Sequence, residues 1–265
     1  MKRSTVFTIL LFVFLAIFLF SAYNIIVTLV DYRQGEQAYS ALQQFVDVTP
    51  TQPTQPATQP TAPADPDAPT EPAEPAKREV SYPAVDFDTL WEVNPNVVAW
   101  IYIEGTNINY PVVLGTDNQY YVTHMINGKY NRAGSIFMDY RNQADFLDKH
   151  TILYGHNMKN DTMFADITNY RDQAYYEAHP IGVIVTPDGN FYFEVISAYV
   201  SKVSGDAWKM NFDSDTEALE WAKAGMEKSD FVSTYTPTQK DVYLTLSTCS
   251  YEFNNARFIL TGVLK

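Results

Sequence analysis

The chain of 265 residues has a single cysteine, Cys249, so no disulfide can form within it and its stability must come from packing. Basic residues are also scarce. Lys and Arg number 18 against 31 Asp and Glu, a formal net charge of -13, which argues against a nucleic-acid partner because such binding is driven by clustered cations. Internal repeats are absent. Two long stretches each lack something a folded core needs: Ser4 to Val30 contains no charged residue, and Thr49 to Ala76 contains no large apolar one.

The first of these stretches follows Lys2 and Arg3 and is long enough to span a bilayer, for which about 20 apolar residues suffice. It has no obvious small-residue cleavage site before its polar end, which predicts an uncleaved signal anchor. The two cations at its start put the N-terminus in the cytoplasm and everything after Val30 outside. Asp31 to Val46 then carries Ala38, Ala41, Leu42 and Phe45 at helical spacing. This segment either prolongs the membrane helix or packs on the later domain, with Gly35 weakening its first part. The proline-rich Thr49 to Ala76 favours an extended polyproline spacer. Four regions result: a cytoplasmic stub with a transmembrane anchor (1–30), a juxtamembrane helical segment (31–48), a Pro/Thr-rich spacer (49–80) and a globular domain (81–265). The core-forming aromatics are expected to lie beyond Ser81, in a chain that is 15% Phe, Trp and Tyr.

Within the domain, Asp86 caps a predicted helix from Phe87 to Val93. Strands are predicted at Val97 to Ile103, Asn109 to Val113, Ser135 to Met138 and Thr151 to Tyr154, then at Gly182 to Thr186, Phe191 to Val203, Val242 to Thr248 and Arg257 to Val263. Pro187-Asp188-Gly189-Asn190 reads as a hairpin turn. Further helices are predicted at Thr162 to Tyr170, Asp172 to His179 and Thr216 to Lys228. The last has Ala218, Leu219, Ala222 and Met226 on one face. About eight strands with few helices give a mainly β domain, a barrel or a sandwich.

In Val242 to Val263, Leu244 and Leu246 alternate with Tyr243, Thr245 and Ser247, the period of a half-buried strand, and the same parity puts Cys249 on the polar face. A structural core cysteine belongs on the other face. The polar run Ser250 to Ala256 is simplest as a connection that brings Arg257 back towards the thiol, where a cation favours the nucleophilic thiolate. Of the four histidines, His124, His150 and His179 occupy ordinary surface positions. His156 ends the apolar run from Thr151 to Tyr154, where a strand can fix it at the rim of a barrel. A capping role for His156 and a packing role for Cys249 are the plainer alternatives.

Thr245-Leu246-Ser247-Thr248-Cys249, Tyr154-Gly155-His156-Asn157 and Arg257 at the head of the next strand resemble the signature of the sortases, and of class B in particular. Asn107 to Val113, Gly134 to Arg141, Met158 to Asn160 and Thr162 to Phe164 add to the likeness, which covers Phe87 to Lys265. The resemblance implies a closed eight-stranded β-barrel with a few peripheral helices, and a membrane-bound cysteine transpeptidase of the Gram-positive cell surface. Such enzymes cleave a C-terminal sorting motif of secreted proteins after Thr, hold it as a thioacyl enzyme and pass it to an amine of a cell-wall precursor of the lipid II type. No cofactor or metal is implied. Carried over, Cys249 is the nucleophile, His156 the general acid and base, and Arg257 the oxyanion and substrate-backbone partner. Asn118, Val122, Tyr154, Trp208 and Ser247 fall where the sorting peptide binds. One departure stands out: Tyr251 sits where some class B enzymes have an Asp, with Glu252 next, so no carboxylate is assigned to the site. The alternatives are a cell-wall cysteine peptidase or amidase, disfavoured because His156 precedes a cysteine that follows a strand, and a non-catalytic membrane-tethered binding barrel.

Overall fold

The computed structural model describes residues 3–47 and 80–265, so the proline-rich spacer lies outside the described residues. The chain opens with α1 (Arg3–Gln43), followed by β1 (Val46–Asp47), β2 (Ala84–Val85), α2 (Phe87–Val93), β3 (Val97–Tyr102), β4 (Asn109–Leu114), α3 (Tyr120–Thr123), β5 (Ile136–Met138) and β6 (His150–Tyr154). Then come α4 (Gln173–Ala178), β7 (Ile181–Val185), β8 (Asn190–Lys202), α5 (Asp215–Glu227), β9 (Val242–Cys249) and β10 (Ala256–Leu264). Asp86 caps α2 as expected, its carboxylate accepting from the Thr89 N–H. The helix predicted from Thr162 is instead a 3₁₀ helix over Ala165–Arg171. Met163, at φ 60°, turns the chain out of helical geometry before it begins.

Eight strands close into a barrel in the order β10-β8-β7-β3-β4-β5-β6-β9. Most neighbours are antiparallel, while β4 with β5 and β6 with β9 run parallel. Closure removes the sheet edges, which a sandwich would leave open. Leu244 and Leu246 of β9 join Phe258 and Leu260 of β10 in the main core. Each such leucine contributes roughly 2 kcal/mol by leaving water.

The half-buried reading of β9 needs correction. Tyr243 to Thr248 are all buried, on both faces of the strand. The alternation is real, but it sorts residues between two cores. Tyr243 packs outside the barrel with Ile196, Val263 and the Ala218 and Ala222 face of α5. Beyond α5 that outer face opens, and Cys249 is half-buried there.

The stretch Phe7–Gln43 of α1 is long and apolar enough to cross a membrane. Both alternatives for Asp31 to Val46 hold together: the helix continues unbroken to Gln43, and its end packs on the barrel. Tyr39, Leu42 and Val46 are buried in the main core, so an aromatic ahead of Ser81 does contribute to it, against expectation.

Candidate active site

The strand pairing assembles the site. In the β9–β10 ladder Cys249 pairs with Arg257, so their side chains leave the same face as neighbours. The return is closed by the Ser250 N–H to the Ala256 carbonyl at 3.0 Å. It turns at Asn255, φ 62°, a left-handed conformation that Asn tolerates better than most residues.

His156 reaches the same place from β6, which runs parallel to β9 with Tyr154 opposite Ser247. Both of its neighbours are tied to the strand that ends in the thiol. Thr248 Oγ1 donates to the Gly155 carbonyl at 2.8 Å, and Asn157 Nδ2 donates to the Cys249 carbonyl at 3.0 Å. Position 155 has no room for a side chain: a Cβ there would lie 2.5 Å from Ile136 Cδ1 and 2.7 Å from Phe164 Cδ2. The imidazole is oriented by Nε2–H, which donates to the Val122 carbonyl at 2.7 Å.

The electrostatics couple thiol and imidazole. The Cys249 pKa is lowered first by its interaction with His156, against the opposing effect of burial, and further by the Arg257 charge. The His156 pKa is raised first by Cys249, and also by the Val122 carbonyl, against burial and the Arg257 cation. Each partner therefore favours the charged form of the other, the direction that makes a thiolate available.

Cys249, His156 and Arg257 line one groove of about 420 Å³, together with Asn118, Val122, Tyr154, Trp208 and Ser247. All eight candidate residues thus come together. A residue the sequence reading did not single out holds part of this groove. Asp139, buried just after β5, accepts from Arg141 Nε and Nη2 at 2.8 and 2.7 Å, from Tyr154 Oη at 2.9 Å and from Asn118 Nδ2 at 3.0 Å. Burial alone would raise its pKa, but these donors, Arg141 first, outweigh it and lower the value. In sequence it was marked only by its place at the end of a short apolar strand, within the segment Gly134 to Arg141 that adds to the likeness, and no role was assigned to it.

Two other expectations are corrected or refined. His150 is not a surface residue: it is fully buried, its Nδ1 2.7 Å from the Lys209 carbonyl and its Nε2 2.7 Å from Thr245 Oγ1. Trp221 of α5 packs against its ring, with centroids 4.6 Å apart. The tertiary position of α5 decides this burial. Glu252 is bound by Arg171 and Ser250. Among the described residues no group of three His, Cys, Asp or Glu is arranged to hold a metal ion.

Comparison with known proteins agrees with this geometry. The sortase domain family matches residues 101–265. Sortase B of Staphylococcus aureus is 31% identical over 265 residues, covering 99% of this chain and 97% of the relative. Sortase B of Listeria monocytogenes is 36% identical over 177 residues, 66% of this chain and 72% of the relative. Among solved structures, B. anthracis sortase B in complex with AAEK1 superposes with a TM-score of 0.69 at 29% identity, covering 89% of this chain and 98% of the other. The S. aureus sortase B-substrate complex does so with a TM-score of 0.64 at 32% identity over 68% and 84%. A sortase B complexed with triglycine gives 0.64 at 33% over 68% and 85%. A barrel of this strand order, a thiol facing an imidazole at its rim and matches over this much of the chain leave one conclusion: the chain belongs to the sortases, and among them to class B, cysteine transpeptidases of cell-wall anchoring.

Proposed function

We propose that Cys249 is the nucleophile, His156 the proton carrier and Arg257 the oxyanion partner in the cleavage of a C-terminal sorting motif after Thr. The observation that carries the reading is that thiol, imidazole and guanidinium line one groove of about 420 Å³ together with the five candidate peptide contacts. The Cys249 thiolate attacks the scissile carbonyl, and the negative charge moves to the carbonyl oxygen, which Arg257 stabilises. Collapse of the tetrahedral intermediate breaks the C–N bond. The departing amine takes a proton from His156, leaving a thioester on Cys249. An incoming amine attacks that thioester, gives its proton to His156 and restores the thiolate. Because Nε2 is committed to the Val122 carbonyl, the proton that moves is the one on Nδ1.

Asn118, Val122, Tyr154, Trp208 and Ser247 contact the sorting peptide in this reading, and the acceptor is the amine of a lipid II-type precursor. The substrate complex of S. aureus sortase B supports a peptide donor, and the triglycine complex of a sortase B supports an amine acceptor. The apolar part of α1 anchors the chain in the membrane, with residues 1–3 cytoplasmic and the barrel, 81–265, outside. The length and composition of the helix support the span, and Lys2 and Arg3 ahead of it support the orientation.

A fluorogenic peptide panel varying the first two motif positions, with and without an amine acceptor, tests the reaction. Cleavage and amine-dependent ligation, both lost in Cys249→Ala and His156→Ala, are expected. Ligation that survives in Cys249→Ala would refute the thioester route. Protease added to intact protoplasts tests the orientation: cutting between Pro50 and Pro83, seen on a denaturing gel as a barrel fragment separated from α1, is expected, and full protection would reverse it.

A further inference from the structure

The end of α1 touches both segments that hold His156. Glu36 and Tyr39 lie one turn apart on the same helix face. The buried Tyr39 hydroxyl donates to the Gly134 carbonyl and stands 3.1 Å from Ser135 Oγ. Gly134, at φ 56°, presses so closely on the next segment that a Cβ would lie 2.5 Å from both the Tyr121 and the Val122 carbonyl oxygens. The adjacent Ser135 N–H donates to the Tyr121 carbonyl at 2.9 Å. Val122 O is the atom that fixes His156 Nε2. One arm from Tyr39 therefore ends on the histidine's orienting acceptor.

A second arm reaches the loop that follows His156. The Tyr39 ring meets the Tyr110 ring edge-on, with centroids 5.4 Å apart. Tyr110 Oη accepts the Met163 N–H at 3.0 Å. Met163 bridges to Asn157, and the Phe164 N–H donates to the His156 carbonyl at 2.9 Å. This loop holds two left-handed residues, Asp161 at φ 58° and Met163 at φ 60°. Conformations of that kind persist only where surrounding contacts impose them. Its tip is also held from the helix, because Asn160 Nδ2 donates to Glu36 Oε1 at 2.6 Å.

We propose that the last turns of α1, through Glu36 and Tyr39, are a positioning element of the catalytic centre, holding His156 in register with Cys249 from both sides. The inference rests on the reading of His156 as the proton carrier. Tyr39 touches no reacting atom and acts through Val122 and the 157–164 loop. Undocking of the helix end would leave a folded barrel with a poorly aimed imidazole, so membrane anchor and catalysis are mechanically linked.

The test uses the full chain in detergent micelles. For Tyr39→Phe, which keeps the ring on Tyr110 and deletes the bond to Gly134, kcat for the panel peptide turned over fastest should fall roughly 3- to 30-fold with KM little changed. The pH midpoint of Cys249 alkylation by iodoacetamide should move upward, because a less well-held imidazolium lowers the thiol pKa less. The charged groups that bear on His156 are Cys249 and Arg257, and neither is altered. Asn160→Ala, which deletes the bond donated to Glu36 together with the one accepted from Thr162 Oγ1, should shift kcat and midpoint in the same directions. Parent-like kcat and alkylation midpoint in Tyr39→Phe overturn the proposal, whatever happens to its melting temperature. Should Tyr39→Phe melt below the assay temperature, parent-like values in Asn160→Ala overturn it instead. Turnover in His156→Ala would remove the reading beneath the proposal. An inactive His156→Ala beside parent-like Tyr39→Phe and Asn160→Ala would remove the positioning role alone.

Discussion

Cys249 and Arg257 face each other across one rung of the β9–β10 ladder. Their juxtaposition is a property of strand register and not of loop conformation. A slip of one residue would send one of the two to the barrel interior. The guanidinium also donates to the Ala256 carbonyl through Nη1 at 3.0 Å, which holds it at the rim.

Two substitutions at Arg257 separate its field from its geometry. Its charge lowers both the Cys249 and the His156 pKa, so Arg257→Gln should raise both, moving the alkylation midpoint of the thiol to higher pH. Arg257→Lys restores the charge without the planar fork. It should keep the midpoint near the parent value while turnover falls by roughly 10²-fold, the scale of losing an oxyanion donor. Near-parent turnover in Arg257→Lys would reduce the residue to a field effect.

Gly155→Ala should damage the site more than the fold. The new methyl meets Ile136 and Phe164 side chains and must push the backbone beside His156. Overpacking of this kind costs about 1–3 kcal/mol. Thermal unfolding should show that loss, while kcat falls further than the unfolded fraction accounts for. Equal losses in both would place the defect in stability alone.

Asp139→Asn should act on substrate binding. Asn118 and Tyr154 both donate to the carboxylate, and an amide there offers only one acceptor oxygen to donors that now share it. KM for the peptide should rise more than kcat falls. Because the folded Asp139 pKa is lowered, its stabilising contribution is present above the unfolded carboxyl value and disappears as pH falls through the folded value. Asp139→Asn should therefore flatten the acid limb of the stability profile. An unchanged KM would remove the residue from the groove's support.

His150 makes a separate acid-sensitive contribution. Burial lowers its pKa from 6.5 to about 4, so between those values the unfolded chain binds the extra proton and the folded one does not. Stability should drop as pH falls through that window, by on the order of 3 kcal/mol at its lower end. Denaturant unfolding from pH 7.5 to 4.5 measures the slope. His150→Asn, which can still donate to the Lys209 carbonyl, should flatten it, and an equal slope in both proteins would assign the loss elsewhere.

The sequence by itself determined whatever depends on neighbours along the chain. Alternation set the strand spans and put Cys249 on the opposite face from Leu244 and Leu246, and the Asp86 cap marked the start of α2. Cys249, His156 and Arg257 were legible as candidates because each sits at or beside a strand end with an unusual residue type, whereas the candidate groove residues were legible only through likeness to a known pattern. Tertiary structure alone decided what covers each face. Tyr243 and His150 are buried because α5, far along the chain, lies over them, and no local pattern carries that information. Asp139 came to brace Asn118 and Tyr154 of the groove, and Tyr39 became part of the core, through partners on other elements. Burial and hydrogen-bond partnership are properties of the closed barrel, and strand periodicity records only which of two faces a residue takes.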